Sequence, residues 1–383
     1  MELAVSNPLL LVTNDFGPRA GGIETMIIGL LHHRPFGQTI VYTSSQVDSE
    51  KYDADWLANY GVRVIRDKAK VLLPTPRVAL ALKKIIQREG ITTAFFGAAA
   101  PLGLLSASMK RSGVERIVAI SHGHEVWWAK VFPFNLLLRR IGSTVDVFTH
   151  LGDFTKGVIS KVLSAEGKQK LVQLAPGTNF DHFKPTDATA LRESLGLTEK
   201  KVMVCVGRLV HRKGQDKLIE AMPEILMGVP NAHLLFVGDG PYREYLEKLV
   251  AKNKLEEFVT FQGRVPFDEL PTYLCTGDIF AMPSRSRFMG LEVEGLGSAY
   301  LEATACGLPI LAGNSGGVPD AVLHNKTGLV VDGTNTVKIA AAAIELLNDD
   351  QRRKAMSTFG RQWILDNWQW TKWSKDFENL LKK

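Results

Sequence analysis

The sequence predicts an α/β protein made of two doubly wound, Rossmann-like domains facing a cleft. The chain has 383 residues, more than the roughly 100–200 residues of a usual single domain. Short apolar runs alternate with stretches of helical periodicity, the signature of a parallel sheet covered on both faces. The alternation pauses at a Pro-, Gly- and Asn-rich connection, 174–185, and then starts again.

In the first half, strands are expected at 9–14, 38–44, 63–67, 93–97, 116–123 and 145–151. Helical periodicity covers 21–34, and a second helix, 77–88, is opened by Pro76, whose missing N–H costs nothing at a helix start. Residues 91–109 are uncharged over a length that could span a membrane. Gly97 and Pro101 break the run, so a buried strand, a turn and a packed helix are expected there instead.

In the second half the strands are 201–207, 232–240, 259–265, 278–284, 309–313 and 328–333. Helices follow from Gln215, from Tyr242, near Asp268 and within 297–307, and two more at 337–348 and 350–367 precede a Trp-rich tail. Three cysteines without close pairing (Cys205, Cys275, Cys306) suggest no disulfide framework and suit a reducing cytoplasm. Residues 1–3 carry no basic stretch of the kind that opens a secretory signal.

Ligands of such sheets bind beyond the carboxyl ends of strands, so chemistry is sought there. The segment 207–216 places Arg208, His211, Arg212 and Lys213 between a strand and a helix start, a ready site for an anion. A solvated basic turn is the alternative. In 292–309, Glu294 precedes a Gly-x-Gly turn and Glu302 lies about one helical turn beyond it. Eight residues of ideal helix rise roughly 12 Å. Carboxylates on the order of 10 Å apart exceed the roughly 5–9.5 Å of glycosidase acid pairs and suit grips on two ends of one nucleotide-sugar. Residues 295–298 offer backbone N–H groups to a diphosphate.

A Gly-Gly turn, Gly21–Gly22, follows the first strand where a phosphate can approach the backbone, and its lack of G-x-G-x-x-G argues against NAD. His122, His124 and Glu125 stand at a strand end. Their spacing could serve zinc, a buried structural network, or contact with a reacting hydroxyl; no third and fourth metal ligands are evident. Asp53 and Asp55 imitate an Asp-x-Asp metal motif but read as the solvated face of a helix.

Charge is uneven: residues 1–180 hold 21 Lys and Arg against 14 Asp and Glu, and the remainder 25 against 26. A basic first half suggests an anionic partner, or ordinary surface charge. Arg77, Lys83, Lys84 and Arg88 flank an apolar stripe on 77–88, and 127–140 mixes Trp127, Trp128 and Phe132 with cations, as membrane-facing segments do. No nucleic-acid module accompanies the basic residues.

The Glu294/Glu302 pair, the "GRL…RKGQD" loop and the "GGIE" turn resemble the retaining GT-B glycosyltransferases of the GT4 family, over about 9–370. "HGHEVWW", "GLEVEGLGSAYLEATACG" and "NSGGVPD" look similar to the actinobacterial phosphatidylinositol monomannoside mannosyltransferases within it. That resemblance implies domains at 1–180 (acceptor- and lipid-facing) and 181–365 (nucleotide-sugar-binding), with a helix in 366–383 packing back on the first. It implies transfer of mannose from GDP-mannose to the 6-position of inositol of a mannosylated phosphatidylinositol, on the inner face of the plasma membrane. Arg208 and Lys213 would hold the diphosphate and Gly22 approach it. Val265 would meet the base through its main chain, Glu302 the ribose and Glu294 the transferred sugar, with His122 near the reacting centre. No metal or other cofactor is expected. Another glycolipid acceptor, a same-fold nucleotide-sugar 2-epimerase and a non-catalytic lipid-headgroup module are the alternatives.

Overall fold

The structure, a computed structural model, describes residues 8–18 and 21–382. The expectation for residues 1–3 and the Arg19–Ala20 part of the first Gly-rich motif lie outside these. The chain divides into two compact units, Met1–Gly177 with Trp370–Lys383, and Thr178–Gln369.

The first unit is a seven-stranded sheet: β1 (Leu9–Thr13), β2 (Thr39–Thr43), β3 (Arg63–Arg66), β4 (Thr93–Phe96), β5 (Arg116–Ala119), β6 (Val147–His150) and β7 (Leu171–Gln173). They lie in the order β3-β2-β1-β4-β5-β6-β7, every pair parallel. Every residue of β1 and β2 is buried, as strands covered on both faces require. The order reverses between β1 and β4, so the loops after Thr13 and Phe96 flank the switch point where ligands of such sheets bind. The edge strand β7 escapes the sequence reading because "LVQ" is three residues long and only Leu171 packs on the core.

Residues 91–109 form β4, a short turn of 3-10 helix, Leu102–Leu105, and the start of the helix Ser106–Arg111. Among the described residues no helix is long and apolar enough to cross a membrane. Asp53 pairs with Arg66 at 2.7 Å and Asp55 with Lys51 at 2.7 Å, so both acids serve the helix Ser49–Tyr60 and its neighbour strand.

The second unit has six parallel strands: β8 (Lys201–Val206), β9 (Ala232–Val237), β10 (Val259–Gly263), β11 (Ile279–Met282), β12 (Ile310–Gly313) and β13 (Gly328–Val331), ordered β10-β9-β8-β11-β12-β13. Its switch point lies between β8 and β11, which sets the loops after Val206 and Met282 side by side. The helix Trp370–Leu381 belongs to the first unit. Phe377 is fully buried there with its ring 5.0 Å from that of Phe95, and Glu378 pairs with Arg34 at 2.6 Å. Trp370 lies so close to Gly29 that a Cβ on the glycine would fall 2.2 Å from the indole ring.

Candidate active site

At the switch point of the second sheet, β8 runs into a loop that closes with a 3-10 turn, His211–Lys213, and the helix Gln215–Gly228. Gly214 sits there at φ 76°, and a Cβ would lie 2.1 Å from the carbonyl of Pro283 in the neighbouring loop. Only glycine allows both that backbone region and that approach. Lys213 is buried, and its Nζ lies 2.9 Å from Oε2 of Glu294. Nη1 of Arg212 reaches the same oxygen at 2.5 Å.

Glu294 is itself buried, and its own N–H donates to Oγ of Ser315 at 3.2 Å. Burial alone would raise its carboxyl pKa, but the charges of Lys213 and Arg212 outweigh that and hold it below the usual range. Two cations on one carboxylate leave one positive charge in excess. Glu302, by contrast, is half-buried in the helix Ser298–Ala305, and its carboxylate makes no hydrogen bond or ion pair among the described residues. Burial pushes its carboxyl up to about 7, with Lys213 opposing. The helical rise assumed for the pair applies only from Ser298 onward, because Glu294 to Gly297 are a loop that ends at Gly297 with φ 87°.

Arg208 is exposed and makes no ion pair among the described residues, so its charge is available to a ligand. Val265 is half-buried in the connection between β10 and the turn Phe267–Glu269. The helix Ser298–Ala305 starts without a side-chain cap, which leaves its first N–H groups open to an anion.

The loop after β11 carries Arg285, Arg287, Phe288 and Met289. Arg285 turns inward and forks onto Asp216, at 2.9 and 2.8 Å, and also donates to Nδ1 of His211 at 3.0 Å. Its own N–H donates to the carbonyl of Arg212 at 2.8 Å. Arg287 pairs with Glu292 at 2.9 Å, and Phe288 and Met289 are left exposed. The Tyr300 hydroxyl donates within 2.7 Å of the Met282 carbonyl and 2.9 Å of Ser284 Oγ. Asp216, Arg285, Tyr300 and Ser315 therefore shape the site without having been assigned a role from sequence, and Arg212, expected only in an anion site, also holds Glu294.

In the first unit, Gly22 opens the helix Gly22–His32, and a Cβ on it would meet nothing within 4 Å. His122 is buried three residues beyond β5. Its Nε2 lies 2.7 Å from the Gly97 carbonyl, an acceptor only, so Nε2 carries the proton and Nδ1 the lone pair. Burial lowers its pKa and keeps the ring neutral. The fully buried Glu125 carboxylate accepts from the His122 N–H at 2.7 Å and lies 3.2 Å from Nε2 of His124, which also meets the Ala100 carbonyl at 3.0 Å. Both histidines thus spend Nε2 on carbonyls. Among the described residues, no group of three or more His, Cys, Asp or Glu could hold a metal ion.

On the helix Pro76–Glu89, all four cations singled out from sequence are exposed, but they are not equivalent. Arg77 is locked onto Asp67 by two 2.8 Å bonds, and Arg88 donates to Glu89 at 2.8 Å. Lys83 and Lys84 make no ion pair among the described residues, and Leu80 on the same helix is more than half exposed.

The family described as "Glycosyl transferases group 1" matches residues 187–363, the unit that carries this cluster. A GDP-mannose-dependent alpha-(1-6)-phosphatidylinositol monomannoside mannosyltransferase of Mycolicibacterium smegmatis is 46% identical over 94% of this chain and 95% of its own. The chain is a group 1 glycosyltransferase. A GDP-mannose-dependent monoacylated alpha-(1-6)-phosphatidylinositol monomannoside mannosyltransferase of Corynebacterium glutamicum is 40% identical over 99% of both chains. Anabaena HepE, solved in complex with UDP, superposes on the glycosyltransferase with a TM-score of 0.81 over 98% of this chain and 99% of its own, at 17% identity. The fold is GT-B.

Proposed function

We propose that this glycosyltransferase moves mannose from GDP-mannose, with retention, to the 6-position of inositol of a phosphatidylinositol monomannoside. Relatives that match nearly the full chain and bear that activity in their names support the reading. The observation that carries its donor half is the buried Glu294 held by Arg212 and Lys213, beside a Glu302 without a hydrogen-bond partner. A half-buried carboxylate can only accept hydrogen bonds. The two hydroxyls of a ribose would supply what Glu302 lacks, and sugar hydroxyls would bond the remaining lone pairs of Glu294.

Breaking the sugar–phosphate bond leaves negative charge on the diphosphate. Arg208, the excess charge of the Arg212–Lys213–Glu294 group and the uncapped N-terminus at Ser298 stabilise that charge as it develops, by preorganised electrostatics. In the first unit, Gly22 is the backbone that admits the diphosphate, and Val265 in the second is the main-chain contact for the base. His122, neutral with its lone pair on Nδ1, orients a hydroxyl by accepting from it and is too weak a base to drive the reaction alone. The acceptor hydroxyl attacks from the leaving-group face, which gives retention.

No resident metal is required on this reading, since protein cations take the place of one. The protein works on the inner face of the plasma membrane, with Lys83, Lys84 and the exposed Leu80 of the basic first unit against anionic headgroups. The deciding experiment incubates purified protein with labelled GDP-mannose and phosphatidylinositol monomannoside in excess EDTA. The expected product is the α-(1→6) dimannoside. Loss of transfer that Mg²⁺ or Mn²⁺ restores would overturn metal independence. Interconversion of free nucleotide-sugars without transfer would mark an epimerase instead.

A further inference from the structure

Two cysteines lie together at the opposite end of the second sheet, outside the donor machinery. Cys275 caps the carboxyl end of the helix Leu270–Leu274, and Cys306 that of Ser298–Ala305. Sγ of Cys275 lies 4.0 Å from the backbone carbonyl of Cys306 and 3.7 Å from that of Lys184. The backbone N–H of Thr186 donates to Sγ of Cys275 at 3.3 Å. Both thiols line a surface cavity of about 420 Å³, together with Arg353 and Lys354. Cys275 is partly exposed, whereas Cys306 and Cys205 are buried.

We propose that Cys275 is a site of thiol modification that closes to a disulfide with Cys306, and that this closure weakens binding of a nucleoside diphosphate at the far end of the same helices. The neighbouring Cys306 thiol, the Thr186 N–H and the Arg361 cation hold the Cys275 thiol below the pKa of a free thiol. Cys306, beside it and more deeply buried, is pushed up and stays protonated. The chemistry then has an order. The Cys275 thiolate attacks a peroxide oxygen, giving a sulfenic acid and hydroxide. The Cys306 thiol displaces the sulfenic hydroxyl to form the S–S bond, and its proton leaves with that hydroxyl as water. The two sulfurs supply the two electrons that reduce the peroxide.

The pair is well placed to be felt elsewhere. Arg361 donates to the carbonyl of Ala305, the last residue of the helix that bears Glu302. The helix capped by Cys275 follows the connection that contains Val265. The two sulfurs must close to about 2.05 Å to form the bond, so these helix ends are drawn together and the donor ends shift with them. This second clause of the proposal rests on the donor reading given above; the modification itself does not.

Reduced full-length protein is treated with N-ethylmaleimide near neutral pH and its labelled peptides are read by mass spectrometry. Cys275 should react at least about tenfold faster than Cys205. Hydrogen peroxide should then remove two hydrogens from the intact mass and link the peptides holding Cys275 and Cys306, reversibly with dithiothreitol. In Cys306→Ser, dimedone should trap a sulfenic acid on Cys275. Equal labelling of Cys275 and Cys205, or oxidation without the 275–306 link, would overturn the site. Calorimetric GDP titration of the two forms should show at least about fivefold weaker binding when oxidised. Equal affinities would overturn the coupling. Absence of GDP binding in the reduced protein would overturn the donor reading and with it the coupling, while the labelling result stands on its own.

Discussion

At the scale of single residues, the second unit separates cations that are free from cations that are already engaged. Arg208 is exposed and unpaired among the described residues, so on the proposed donor reading Arg208→Ala should remove a ligand contact and little else. A charge-assisted contact is worth roughly 1.5–3 kcal/mol. Steady-state kinetics should therefore show kcat/KM for GDP-mannose down by about ten- to a hundredfold, with an unchanged Tm. Lys213→Ala loses a similar contact but also strips a partner from the buried Glu294, at 2.9 Å. Unpairing a buried charge costs roughly 3–5 kcal/mol when no second partner remains; Arg212 remains, so thermal melting should show a smaller but clear loss. Near-wild-type kinetics in both variants would place the donor elsewhere.

Glu302 gives a pH signature of its own. Its carboxyl stands raised to about 7 in the folded protein, whereas in the unfolded chain it titrates near the model-peptide value of about 4.3. Between those values the folded state binds more protons than the unfolded, so stability falls as pH rises through this window. Ligand-free protein should lose Tm between mildly acid and neutral pH, and Glu302→Gln should flatten that slope. GDP affinity should move the opposite way, since an ionised Glu302 is the better acceptor for ribose hydroxyls. Calorimetry that found GDP binding independent of pH in this range would remove Glu302 from the nucleoside contact.

At the scale of elements, the helix Pro76–Glu89 shows how packing divides residues that sequence treats alike. Thr75 caps its start by accepting from the N–H of Val78, and Val78, Leu82, Ile85 and Ile86 form its buried stripe. That period was legible without coordinates. The fate of its cations was not, because Asp67 is ten positions away and meets Arg77 only once β3 and the helix have packed. Lys83→Glu with Lys84→Glu should release the protein from phosphatidylinositol-rich vesicles, each lysine contributing on the order of 1 kcal/mol near an anionic surface. Co-sedimentation at rising salt reads this, with GDP affinity unchanged as the control. Arg77→Glu should instead lower Tm, since it sets a carboxylate against the buried Asp67 and Tyr42. Equal binding of wild-type protein to neutral and anionic vesicles would reduce the basic half to ordinary surface charge.

At the scale of the whole molecule, the chain crosses from one unit to the other after Gly177 and returns at Trp370. The returning helix completes the first unit's core through Phe377, so Phe377→Ala should cost roughly 3–5 kcal/mol. Gly29→Ala should act on the same joint, because its methyl group would collide with the Trp370 ring. In both variants differential scanning calorimetry should show destabilisation, with GDP affinity of the second unit retained.

The sequence by itself determined the alternation of strand and helix, the restart after residue 185, and the positions of Lys213, Glu294 and Glu302 in the loops and helix that follow strands. These follow from local causes: hydrophobic period, helix starts, and glycines where a chain turns sharply. What only the tertiary structure decided was which charges meet. Arg212 and Lys213 converge on a carboxylate more than eighty positions downstream, and Arg285 reaches back to Asp216, because β8 and β11 are neighbours in the sheet and not in the chain. It likewise decided that His122 donates from Nε2 to Gly97, and that Cys275 lies against Cys306. An ion pair depends on a few ångströms of separation and on burial, and parallel strand order, which fixes both, is set by packing over the whole sheet.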